Sequence, residues 1–116
     1  MSEVTITVNP FRMGTDKEAA LKPLEEASEA HGAAEIVRKC EESEGHICRA
    51  VMHPFEPQLD CPLYIDLADE IADTIQAACN LADRYGIDLP AAMERCEKRN
   101  SERGRYPRET QVEDKS

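Results

Sequence analysis

Two short groups of carboxylates carry the chemistry open to this chain. Glu25, Glu26 and Glu29 fall within five residues, and Glu70 and Asp73 stand three apart. On helices, Glu25 and Glu29 lie one turn apart. Glu26 and Glu29, and Glu70 and Asp73, sit three residues apart, so each group crowds one face. Like charges at this spacing destabilise an isolated helix by a few tenths of a kcal/mol per pair. No Lys or Arg stands four residues from Glu70 or Asp73 to offset them. A divalent cation would. Mg²⁺ takes carboxylate and water oxygens in an octahedral shell and keeps waters that can reach phosphate oxygens. The plain alternative is a solvated acidic face, because the whole chain is acidic, with 24 Asp and Glu against 14 Lys and Arg.

The elements that must hold these groups are helices. Thr15-Asp16-Lys17-Glu18 has the form of a capping box, a hydroxyl at the N-cap and a carboxylate three residues on, so a helix is expected to start there. Pro23 is expected either to kink that helix or to open a second one. From Leu24 to near Glu42 the sequence is rich in Ala and Glu and reads as helix. Gly32 weakens it by ~1 kcal/mol relative to Ala. A second long helix is expected from near Leu63 to Tyr85, with Leu67, Ile71, Ile75, Ala78 and Ala82 as its core stripe. Gly86 follows as a C-cap with Ile87 beside it. Asp88 then caps a third helix, with Pro90 in its first turn, running to near Arg103. If the two long helices pack antiparallel, both acidic groups can converge on one ion.

The remaining segments frame this core. VTITV alternates like a strand but has no partner, so residues 1–14 read as an arm. Residues 43–62, with Gly45, Pro54, Pro57 and Pro62, read as a Pro-rich loop between the long helices, and residues 107–116 as a charged, frayed tail. The expectation is one all-α domain spanning residues 1–116.

Composition narrows the partners. A net charge of −10 argues against nucleic acid or an anionic membrane as a partner, since both require clustered Lys and Arg. No apolar run approaches the roughly 20 residues of a membrane span. The N-terminus lacks the basic-then-apolar pattern of a secretory signal. The five cysteines, Cys40, Cys48, Cys61, Cys79 and Cys96, are odd in number and include no C-x-x-C pair. Reduced thiols in a cytoplasm are therefore expected. Cys40, His46, Cys48, His53 and Cys61 fall near one another, but they lack the tight ligand pairs of structural zinc sites.

The order of motifs resembles the MazG-like all-α nucleoside triphosphate pyrophosphohydrolases, phage-type members in particular. The residues that carry the resemblance are Glu25-Glu26-Ala27-Ser28-Glu29, as E-E-x-x-E, and Glu70-Ile71-Ala72-Asp73, as E-x-x-D. The stretch Ala77-Ala78-Cys79-Asn80-Leu81-Ala82, then Gly86-Ile87-Asp88-Leu89, then Asn100 with Arg103, continues it, and the likeness covers roughly residues 20–107. It implies a helical bundle and Mg²⁺-dependent hydrolysis of a nucleoside triphosphate to a monophosphate and pyrophosphate, with Mn²⁺ as a substitute. It implies Glu26, Glu29, Glu70 and Asp73 as metal ligands, and Glu25 behind them or orienting the attacking water. Phosphates also need donors. Lys98, Asn100 and Arg103 gather near the end of the third helix as substrate-binding candidates.

The chain departs from that pattern in two places. The Pro-rich segment lengthens the connection between the acidic groups. Many relatives also carry a Lys four residues before the terminal Asn and a Tyr four after it. Here Cys96 takes the first position and Tyr106 comes two residues late, leaving Arg95 or Lys98 to substitute. Phe11, Phe55, Tyr64, Tyr85 and Tyr106 are the aromatics available to a base, and none is assigned to it. Two long helices with few aromatics bury little surface alone, so a homo-oligomer, dimer or tetramer, is expected. The alternative function is a non-catalytic helical module that binds a nucleotide or a protein.

Overall fold

The computed structural model describes residues 3–44 and 61–106. They form three helices, α1 (Asp16–Glu44), α2 (Pro62–Arg84) and α3 (Leu89–Glu102), and no strand occurs among the described residues. Residues 3–15, VTITV included, run without regular structure as an arm.

Each helix end has a local cause. At α1 the capping box closes reciprocally: the Glu18 N–H donates to Thr15 Oγ1 (3.2 Å) and the Thr15 N–H to Glu18 Oε1 (3.0 Å). Hydrogen bonding from the Thr15 N–H, and next from the Thr15 side chain, holds the Glu18 carboxyl below its ordinary pKa. α1 then runs unbroken through Pro23, so proline neither ends it nor opens a new helix. The missing N–H leaves the Ala19 carbonyl without its usual helical donor. α2 starts on Pro62 after an extended Cys61. It ends in a Schellman motif, where the Gly86 N–H donates to the Asp83 carbonyl (3.0 Å) and the Ile87 N–H to the Ala82 carbonyl (2.9 Å). Gly86 has φ +64°, the left-handed conformation this cap requires. At α3 the Asp88 carboxylate accepts from the Ala91 N–H (3.1 Å), with Pro90 in the first turn.

α1 and α2 pack on each other and run antiparallel: Arg84 near the end of α2 meets Asp16 at the start of α1, and Glu70 lies with Glu29. α3 buries no residue and makes at most marginal contact with the other helices. Of the Pro-rich segment 43–62, Ser43 and Glu44 close α1 and Pro62 opens α2. Its centre lies outside the described residues, as do His46, Cys48, His53 and the tail from 107 onward.

The core differs from the expected stripe. Among the described residues the buried apolar side chains are Val37, Ala77 and Ala82, and no large side chain is fully buried. Ile71, Ile75 and Ala78 are exposed instead of forming the core. At about 100° per residue, Ile71 and Ile75 lie about 120° and 160° round the helix from Ala77. α1 therefore packs on the face of α2 that carries Ala77, and of the expected stripe Ile71, Ile75 and Ala78 are exposed while Leu67 is half-buried and Ala82 buried.

Candidate metal centre

The antiparallel pairing brings the two acidic groups together. Glu26 and Glu29 from α1 and Glu70 from α2 each offer a carboxylate oxygen, and these oxygens all lie within 4.8 Å of one another. Glu26 is buried, 9% exposed, and Glu70 is half-buried, while Glu29 reaches solvent. Glu70 Oε2 is buried and has no hydrogen-bond partner among the described residues. A buried carboxylate oxygen ordinarily accepts bonds, and its being orphaned beside two more carboxylates is costly. A hard divalent cation would satisfy it. Three carboxylates suit Mg²⁺ or Mn²⁺ rather than a thiophilic metal. Glu26, Glu29 and Glu70 are the residues that fit such an ion.

Lys22 brings a positive charge to the cluster. Its Nζ lies 3.3 Å from Glu26 Oε1 and 3.5 Å from Glu25 Oε2. The Glu26 hydrogen bond, with the charges of Glu26 and Glu25, raises the Lys22 pKa above its ordinary value. Sequence reading passed over Lys22, although the Lys at i with Glu at i+3 and i+4 was legible.

The other expected site residues are distributed as follows. Glu25 is exposed and paired to Lys22. Asp73 is exposed and lies outside the triad of close oxygens. It lines a cavity of about 480 Å³ with Glu26. Lys98, Asn100 and Arg103 are on or just after α3, and none of them lines that cavity. Lys98 and Arg103 are exposed, and Asn100 Nδ2 is 3.6 Å from Cys96 Sγ. Cys40, Cys79 and Cys96 form no disulfide.

The cavity lies between the arm, the first turns of α1 and the second half of α2. Phe11, Met13 and Ala77 contribute apolar surface. Lys22, Gln76, Asn80 and Arg84 contribute polar groups. The arm is clasped over it. Arg12 reaches the Asp83 carbonyl (3.2 Å) and carboxylate (3.5 Å), and Arg84 bonds both Asp16 and the Gly14 carbonyl. Among the described residues no helix is long and apolar enough to cross a membrane.

The chain matches no family model, and comparison with curated proteins and with solved structures returns no significant match.

Proposed function

We infer that this chain is a MazG-like nucleoside triphosphate pyrophosphohydrolase that works with Mg²⁺. The observation that carries the reading is the meeting of Glu26, Glu29 and Glu70 across two antiparallel helices, with one buried Glu70 oxygen left unpartnered. The resemblance of the two acidic motifs supplies the reaction class. Water attacks a phosphorus of the triphosphate, the bridging oxygen between the α and β phosphates leaves, and a monophosphate and pyrophosphate result. A bound Mg²⁺ would supply charge neutralisation and a more acidic water. Glu26, Glu29 and Glu70 would hold it, Asp73 would serve from the cavity side, and Glu25 would orient the attacking water. Lys98, Asn100 and Arg103 do not line the cavity beside the acidic cluster, so they would grip phosphates in an assembled homo-oligomer. The exposed Ile71 and Ile75 support such pairing.

The test is a turnover assay over the canonical nucleoside triphosphates with Mg²⁺ or Mn²⁺. Pyrophosphate is expected as first product. Orthophosphate as first product rejects the reading. Binding without turnover favours the non-catalytic nucleotide-binding module.

A further inference from the structure

Gln76, Asn80 and Arg84 recur one turn apart on α2, and each holds backbone of the arm. Gln76 Nε2 donates to the Asn9 carbonyl (3.1 Å) and to Asn80 Oδ1 (2.8 Å). Asn80 Oδ1 also accepts from the Phe11 N–H (2.9 Å), and Arg84 Nη2 donates to the Gly14 carbonyl (3.0 Å). The backbone partners fix the orientation of both amides. A carbonyl can only meet the NH₂ end of Gln76, and an N–H can only meet the oxygen of Asn80.

A primary amide has two N–H donors and an oxygen with two lone pairs. The two donors of Gln76 are both committed, and so are the two lone pairs of Asn80. Among the described residues, what remains unbonded is the Gln76 oxygen, an acceptor, and the Asn80 NH₂, a donor, on two hydrogen-bonded side chains of residues that line the cavity. Nucleobases present a donor next to an acceptor on the pairing edge, an exocyclic amine beside a ring acceptor in adenine and cytosine and a carbonyl beside a ring N–H in guanine and thymine, so an acceptor and a donor held in fixed order tell the two classes apart. Phe11, Met13 and Ala77 add apolar surface for a ring, and a cavity of about 480 Å³ has the size of a small-ligand site. Glu26 and Asp73 form its border with the acidic cluster, where a triphosphate belongs.

We propose that the cavity under the arm receives the base of the nucleotide, with Asn80 donating to its edge and Gln76 accepting from it, which makes these two the specificity-determining residues. The proposal rests on the pyrophosphohydrolase reading above. The arm does more than cover the site. By occupying the other ends of both amides, it sets which end each presents.

Asn80→Asp tests this directly. It keeps the oxygens that accept from Phe11 and Gln76, so the arm stays held, and it removes the donor. The added charge weakens all nucleotides alike, whereas the lost donor weakens the four bases unequally. The kcat/KM values for the four deoxynucleoside triphosphates with Mg²⁺ are expected to change in their ratio by tenfold or more, with the Phe11 amide still protected from hydrogen exchange. A uniform loss across the bases overturns the proposal. In parallel, the four deoxynucleoside monophosphates are titrated into the metal-free parent protein and followed by NMR. Shifts at the Phe11 amide and the Gln76 and Asn80 side-chain amides are expected. No shifts there, or shifts confined to α3, overturn it. A parent protein that turns over no triphosphate yet shows those shifts rejects the hydrolase reading alone.

Discussion

The Lys22 ammonium sits 3.3 Å from Glu26 Oε1, so the buried member of the acidic cluster already has a cation belonging to the chain. A divalent ion entering the cluster must displace it or share Glu26 with it. Lys22→Met removes the competitor and keeps the apolar stem. Mg²⁺ affinity, measured by calorimetry without nucleotide, is expected to rise a few-fold, the scale of an exposed ion pair. The melting temperature in EDTA is expected to fall slightly, because the carboxylates lose their counter-ion. Weaker Mg²⁺ binding in the variant would mean that Lys22 orients Glu26 rather than competing for it.

Glu70 gives the complementary experiment. Its Oε2 is buried without a partner among the described residues, beside the carboxylates of Glu26 and Glu29. Glu70→Gln removes a charge and places N–H donors among acceptors. The metal-free protein is expected to gain about 1 kcal/mol, a rise of roughly 4 °C for a chain of this size. A ligand that binds only the folded state raises its melting temperature, so Mg²⁺ is expected to stabilise the parent and not the variant. A variant still stabilised by Mg²⁺ to the same extent would place the ion elsewhere.

The helix ends were legible in the sequence because each is a local chemical device. Thr15 with Glu18, Gly86 with Ile87, and Asp88 with Pro90 act within a few residues, and the structure has all three. The acidic groups were legible as motifs, and the antiparallel pairing brings Glu26, Glu29 and Glu70 together. The face of α2 that meets α1 was not. Hydrophobic periodicity marks the bulkiest stripe, Ile71 and Ile75, and cannot tell which partner covers it. Pro23 left two outcomes open from local chemistry, a kinked helix or a new one, and α1 continues through it as one helix. The hold of Gln76 and Asn80 on the arm was not legible, although Asn80 falls in the resembling stretch, because their partners are backbone atoms almost 70 residues away.

The capping box predicts a pH dependence. Hydrogen bonds from Thr15 hold the Glu18 carboxyl below its ordinary value of 4.5. The sign follows: the charged cap is fully stabilising above that value, and its contribution is lost as pH falls through the lowered one. Thr15→Ala removes the hydroxyl and is expected to cost about 1 kcal/mol. NMR titration of Glu18 is expected to show a midpoint nearer the ordinary value in the variant. An unchanged midpoint would assign the whole shift to the Thr15 backbone N–H, the larger cause, which the variant keeps, and none of it to the hydroxyl.

The exposed isoleucines of α2 predict assembly. Ile71 and Ile75 are 46% and 37% exposed, one turn apart, in a chain whose described residues bury no large side chain fully. Light scattering at micromolar concentration is expected to return a multiple of 13.0 kDa. Replacing both isoleucines with Ser is expected to reduce the particle toward a single chain and to lower the melting temperature. A parent protein that is itself a 13.0 kDa particle ends the oligomer reading.

Asp73 separates two roles that the acidic motifs alone leave joined. It is exposed and lies outside the close triad, yet it lines the cavity with Glu26. If the triad alone binds the free ion, Asp73→Asn leaves Mg²⁺ affinity without nucleotide within about twofold, whereas Glu70→Gln abolishes it. If Asp73 acts from the cavity side once the triphosphate is present, turnover falls by about a hundredfold or more, the scale of a lost contact to developing charge. Stability cannot decide, because an exposed substitution stays within about 0.5 kcal/mol under either view. The Mg²⁺ dependence of turnover can. A shift of its midpoint to higher Mg²⁺ with unchanged ion binding in the free protein places Asp73 on the nucleotide-bound metal. Parent rate with the parent midpoint would falsify any role for Asp73 and return it to the solvated acidic surface.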